Sequence, residues 1–85
     1  MKLTIKYLVS VRDRTGKSEE EIDFPEGSML QDVSEWLHEA YGLTLPDPGL
    51  MSTLNGKGWN QHPGKLSTPL TEGDRICIFS LLSGG

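Results

Sequence analysis

The sequence predicts an α+β fold in which a mixed β-sheet packs on one main helix. Three observations point there. The two best strand patterns lie at the two ends of the chain. A single amphipathic helix lies between them, with Leu30, Val33 and Leu37 at helical spacing. The remaining apolar runs are short and bounded by Gly, Pro and Asn-Gly, which mark turns.

In chain order, Leu3, Ile5, Tyr7 and Val9 alternate with Lys2, Thr4, Lys6 and Ser10. Period two over this length predicts a half-buried strand. Residues 12–17, Arg-Asp-Arg-Thr-Gly-Lys, read as a polar turn. A second strand follows, with Ile22 and Phe24 inward and Glu19, Glu21 and Asp23 in water, closing a hairpin. The acidic side of that strand also discourages edge-to-edge pairing.

Pro25-Glu26-Gly27 stops the strand, and Ser28 with Gln31 three residues on has the spacing of a capping box. The helix it opens carries the stripe Leu30, Val33, Leu37 and then Ala40 or Tyr41, with Gly42 placed as its C-terminal cap. Trp36 borders the stripe as a packing residue. His38 lies on the polar side among Asp32, Glu35 and Glu39, with no second ligand at metal-binding spacing.

Pro46 and Pro48 make the next segment a loop. Leu50 to Leu54 reads as a short strand, Asn55-Gly56 as a type I′ turn, and residues 57–60 as a weak returning strand. Gly56-Lys57-Gly58 lacks both the spacing and the following helix of a phosphate-binding loop. Trp59 reads equally as a cover over the core or as an exposed contact. Residues 66–70 fit a loop or one tight helical turn. Arg75 to about Leu82 forms the last strand, apolar on both sides at its centre, where Cys77 reads as a small buried hydrophobe. With the first and last strands side by side in the middle of the sheet, this element order is a β-grasp, or ubiquitin-like, arrangement.

Eighty-five residues make one small domain, assigned to residues 1–82, with residues 83–85 as a flexible tail. The core is too modest for a deep enzyme pocket. A net charge of −4 argues against nucleic-acid binding and favours basic protein partners. No stretch suits a signal peptide or a membrane span. A single cysteine fits a reducing cytoplasm. There is no nucleophile–base pair, no paired carboxylate site and no metal cluster, so the chain is not expected to be an enzyme on its own.

The tail carries the chemistry instead. Leu81-Leu82-Ser83-Gly84-Gly85 follows the apolar run Ile76-Cys77-Ile78-Phe79 and ends in a free carboxylate on a slim diglycine. Glycine lets such a stalk enter a narrow channel. From Leu82 onward it can project the carboxylate roughly 13 Å beyond the fold. Gly85 is the reactive group, Gly84 and Ser83 form the slim stalk, and Leu82, Leu81 and Phe79 are candidates for docking on a partner. Phe79 reads equally as a core residue.

The chain resembles the MoaD/ThiS group of ubiquitin-like sulfur carriers, more the small subunit of molybdopterin synthase than the thiazole carrier. The resemblance rests on residues 14–17 after the first strand, Pro25-Glu26-Gly27-Ser28, Leu54-Asn55-Gly56, Leu70 with Gly73-Asp74, and Ser83-Gly84-Gly85. One departure is Ser80-Leu81-Leu82, where that type usually carries prolines. The resemblance implies that a ubiquitin-activating-type enzyme, using ATP and magnesium, adenylates Gly85. A sulfur donor of the cysteine desulfurase or rhodanese type then leaves a thiocarboxylate there. The arm would deliver sulfur inside the molybdopterin synthase large subunit, for a molybdenum or tungsten cofactor. Thiazole synthesis, tRNA thiolation, protein modification through Gly85 and a plain interaction module remain as alternatives.

Overall fold

The computed structural model describes residues 1–45 and 47–80. Its elements are strand β1 (Lys2–Leu8), helix α1 (Ser10–Thr15), strand β2 (Glu19–Asp23), helix α2 (Leu30–Tyr41), strands β3 (Leu50–Leu54) and β4 (Lys57–Gly58), two 3₁₀ turns (Trp59–Gln61 and Lys65–Ser67), and strand β5 (Arg75–Ser80). The sheet order is β2-β1-β5-β3-β4. β1 pairs antiparallel with β2 and parallel with β5, and β5 pairs antiparallel with β3. This is the β-grasp arrangement expected from the sequence.

Alternation along each strand decides the core. Leu3, Ile5 and Tyr7 of β1 and Ile76 and Ile78 of β5 are all buried, and they meet Leu30, Val33 and Leu37 of α2. Trp59 joins this core, so its role is packing. Its indole Nε1 is buried and has no hydrogen-bond partner among the described residues. Trp36 stacks edge-on between Phe24 and Tyr41. Tyr41 continues the helical stripe, while Ala40 is exposed.

Four local expectations change. The polar turn after β1 is a helix: Val11 and Thr15, four residues apart, are buried on one side of it, and Gly16 closes it at φ 76°. Val9 is not an inward strand residue; it is 55% exposed, and the chain turns there out of β1. Ser28 does not cap α2, because its hydroxyl donates to the Pro25 carbonyl at 2.8 Å. The cap is Met29, whose N–H donates to Asp32 Oδ2 at 2.8 Å, half of a capping box in which Asp32 rather than Gln31 is the acid. The strand after Gly56 stops at Gly58, and the 3₁₀ turn there folds Trp59 inward.

The Asn55-Gly56 turn has φ of 53° and 85°, the positive values a type I′ hairpin requires. Asn55 also ties the hairpin to β5, accepting from Arg75 N–H at 2.9 Å and donating to Asp74 at 3.1 Å. Partial burial works against ionisation of Asp74. The Thr71 N–H, the Asn55 amide, the Thr71 hydroxyl and the charge of His62 outweigh it and hold this carboxyl below its ordinary range.

Glu20 holds β1, β2 and α2 together at one edge. Its Oε2 accepts the hydroxyls of Tyr7 and Tyr41, each at 2.6 Å, and its Oε1 accepts Lys17 Nζ at 3.0 Å. Burial alone would raise the Glu20 carboxyl. The bonds from Tyr41, Tyr7 and Lys17 prevail, and its folded pKa lies below the ordinary value. Burial and the same carboxylate push both tyrosines up.

A depressed folded pKa contributes stability that is present above the unfolded value of ~4.3 and is lost as pH falls through the folded value. Glu20→Gln is expected to cost about 2 kcal/mol at pH 7. It should also flatten the decline in stability below pH ~4.3. Urea midpoints of both proteins at pH 7 and in the acid range test this.

Candidate functional site

Helix α2 covers one face of the sheet, and the other face is left open. On that open face, strand register places residues in rows across β1, β5 and β3. One row is Leu8, Phe79 and Met51, and the next is Lys6, Cys77 and Thr53. β2 adds Glu19, Glu21 and Asp23 opposite Lys6, Thr4 and Lys2. The face is therefore charged towards the start of β1 and apolar towards its end.

The apolar row lies at the C-terminal ends of β1 and β5. β1 and β5 run parallel, so Leu8 and Phe79 are neighbours at their C-terminal ends, and Ser80 follows directly. Leu8 is 42% exposed, and Phe79 and Met51 are half-buried. Phe79 is thus no core residue. It stands in a surface row with two residues that the sequence reading did not single out. Their signal was present: Leu8 is an apolar residue on the polar side of an alternating strand. The other expected site residues, Leu81, Leu82, Ser83, Gly84 and Gly85, lie outside the described residues.

Cys77 is half-buried in the second row, less enclosed than its strand position suggested. Burial pushes its thiol up, outweighing the Lys6 charge that favours the thiolate, so the group stays protonated near neutral pH. His38 is exposed, with Nδ1 3.5 Å from Thr44 Oγ1. Among the described residues, no group of three or more His, Cys, Asp and Glu is placed to hold a metal ion. No helix among them is long and apolar enough to cross a membrane. Behind β3, Leu50, Trp59 and Leu66 line an apolar slot of about 570 Å³.

At the root of the tail the backbone departs from ordinary geometry. Val9 has φ 57° and ψ −131°, a region that a β-branched residue rarely adopts. The next residue, Ser10, is hydrogen-bonded through its hydroxyl to the hydroxyl of Ser80. α1 is thereby attached to the last described residue of β5.

The sequence matches the model of the ThiS family over residues 5–85. The chain belongs to the ThiS family. Solved structures agree in fold. A protein described as molybdopterin converting factor subunit 1 from Pyrococcus furiosus superposes with a TM-score of 0.80 at 23% identity, covering 96% of this chain and 99% of that one. SAMP1 from Haloferax volcanii gives 0.77 at 17% identity with both chains fully covered. A protein–protein complex of subunits 1 and 2 of the molybdopterin-converting factor from Helicobacter pylori gives 0.69 at 21% identity, again with both chains covered in full. Among curated proteins, none matches the sequence. At these identities the ThiS-family chain shares a fold with the solved proteins, and its chemistry rests on its own residues.

Strain at Val9 costs of order 1–3 kcal/mol in a non-glycine residue. Glycine removes that strain at some cost in backbone entropy. Val9→Gly is therefore expected to raise unfolding stability by about 1 kcal/mol, measured by urea denaturation.

Proposed function

We propose that this ThiS-family chain is a sulfur carrier whose working group is the α-carboxylate of Gly85. The observation that carries the reading is that the family match runs through residue 85, to the terminal Ser83-Gly84-Gly85. The apolar row of Leu8, Phe79 and Met51 at the base of that tail supports it, since a partner docked there is within reach of a five-residue arm.

A C-terminal carboxylate is ionised at neutral pH, with an unperturbed pKa of ~3.3–3.7, and is a poor electrophile. Activation proceeds on a ubiquitin-activating-type enzyme using ATP and magnesium. A carboxylate oxygen of Gly85 attacks the α-phosphorus, pyrophosphate leaves, and an acyl adenylate forms. The terminal sulfur of a persulfide on a cysteine desulfurase or rhodanese-type donor then attacks the acyl carbon, and AMP departs with its electron pair. A thiol reductant cleaves the resulting acyl disulfide to leave the sulfur on Gly85. The thiocarboxylate so formed is a soft nucleophile on a slender arm. The folded body supplies the address through its open face, and the acceptor's active site supplies the chemistry.

We assign the acceptor as the large subunit of a molybdopterin synthase, for a molybdenum or tungsten cofactor. Support comes from the likeness to a chain of the two-subunit molybdopterin-converting factor complex. A second reading, attachment of Gly85 to a target amine, is favoured by the likeness to structures described as small archaeal modifier proteins.

Incubation with the activating enzyme of the same organism, ATP, magnesium and a sulfur donor separates the two. The carrier reading expects intact-mass spectrometry to show the difference between sulfur and oxygen, located at Gly85. Loss of Gly85, or one residue appended after it, should abolish the gain. Leu8→Asp should raise the KM for the carrier about tenfold while leaving stability within about 0.5 kcal/mol. Higher-mass adducts without sulfur would favour the modifier, and no change in any arm would overturn both.

A further inference from the structure

The carrier reading leaves open how the arm is aimed, and the base of the tail offers an answer that rests on that reading. At Leu8 and Phe79, β1 and β5 are still paired. The next pair in register would be Val9 with Ser80, but Val9 turns β1 away at φ 57°. On its other side Ser80 remains in register with Leu50 of β3. On the β1 side, the strand partner is replaced by one side-chain bond, from the Ser10 hydroxyl to the Ser80 hydroxyl.

That bond joins residues 70 apart in sequence, and Ser10, itself exposed, opens a helix anchored on its inner side. Its neighbour Val11 is fully buried. The far end of α1 is closed by Gly16 N–H donating to the Arg12 carbonyl at 2.9 Å, and Thr15 Oγ1 donates to the Lys17 carbonyl at 3.0 Å. A strained backbone persists only where its surroundings over-determine it. Here the strained turn brings the Ser10 hydroxyl to Ser80, the last described residue of β5.

We propose that Val9, Ser10 and Ser80 form a clasp that holds the root of the tail and sets its direction of departure, making Ser10 and Ser80 positioning residues for activation of Gly85. Holding Ser80 keeps the end of β5 from fraying and so fixes the point from which the C-terminal carboxylate is presented. That carboxylate therefore has a higher effective concentration in the active site of a docked enzyme. The clasp touches neither ATP nor the reacting carboxylate. It acts on the rate of productive encounter after docking, not on docking, which belongs to the Leu8, Phe79 and Met51 row.

The test measures pyrophosphate release by the activating enzyme with ATP and magnesium, using the full chain as carrier. Ser10→Ala and Ser80→Ala are each expected to lower kcat about tenfold with little change in KM. The double variant should be no worse than either single one, because both remove the same bond. Ser10→Thr, which keeps the hydroxyl, should recover most of the rate.

Val9→Gly is the sharper arm: it should lower kcat while raising stability, a combination that loss of folding cannot produce. An unchanged kcat in Ser10→Ala and Val9→Gly, or a loss confined to KM, would overturn the clasp. Failure of the unsubstituted chain to be adenylated would overturn the carrier reading instead, so the two failures are distinct.

Discussion

The parallel pairing of β1 with β5 is the constraint on which the rest of this structure depends. Parallel neighbours cannot be joined by a tight turn and need a long crossover. Here nearly the whole chain serves as that connection, since β1 ends at Leu8 and β5 begins at Arg75. The pairing is held by Leu3, Ile5, Tyr7, Ile76 and Ile78, all turned to one side and all buried against Leu30, Val33 and Leu37. Within the crossover, α2 covers the sheet and β3 flanks β5. Asn55 and Asp74 tie the hairpin to the start of the last strand.

Covering one face and leaving the other free divides the labour between folding and recognition. The covered face takes the inward residues of three strands and the stripe of α2. The free face sorts its residues along the strands, with carboxylates and lysines near one end and Leu8, Phe79 and Met51 near the other. The apolar end coincides with the end of β5 because β1 and β5 point the same way.

Much of this was legible from periodicity. The alternation of Leu3, Ile5 and Tyr7, the helical spacing of Leu30, Val33 and Leu37, and the Asn55-Gly56 turn each have one physical reading, and each was realised. What escaped was decided by one or two side chains. α1 is only six residues long, and its signal is the single pair Val11 and Thr15 on one side. Ser28 and Asp32 both have capping chemistry, and geometry alone chose Asp32. Glu20 looked like part of an acidic strand until the fold brought Tyr7 and Tyr41 to it from 13 and 21 residues away. The terminal diglycine expected from the sequence lies outside the described residues. The surface row was not legible, because it is assembled from three strands with one residue from each.

The N-terminus is built into the sheet at the opposite end. The Met1 ammonium donates to the Phe24 carbonyl at 2.7 Å, and Phe24 N–H donates back to Met1 at 2.8 Å. Since β1 and β5 run in one direction, the start of β1 and the end of β5 lie at opposite poles, separated by the length of the sheet. An affinity handle or surface tether attached ahead of Met1 would displace one ammonium bond there and stand a sheet's length away from the row of Leu8, Phe79 and Met51. Immobilisation through that end therefore keeps the apolar row clear.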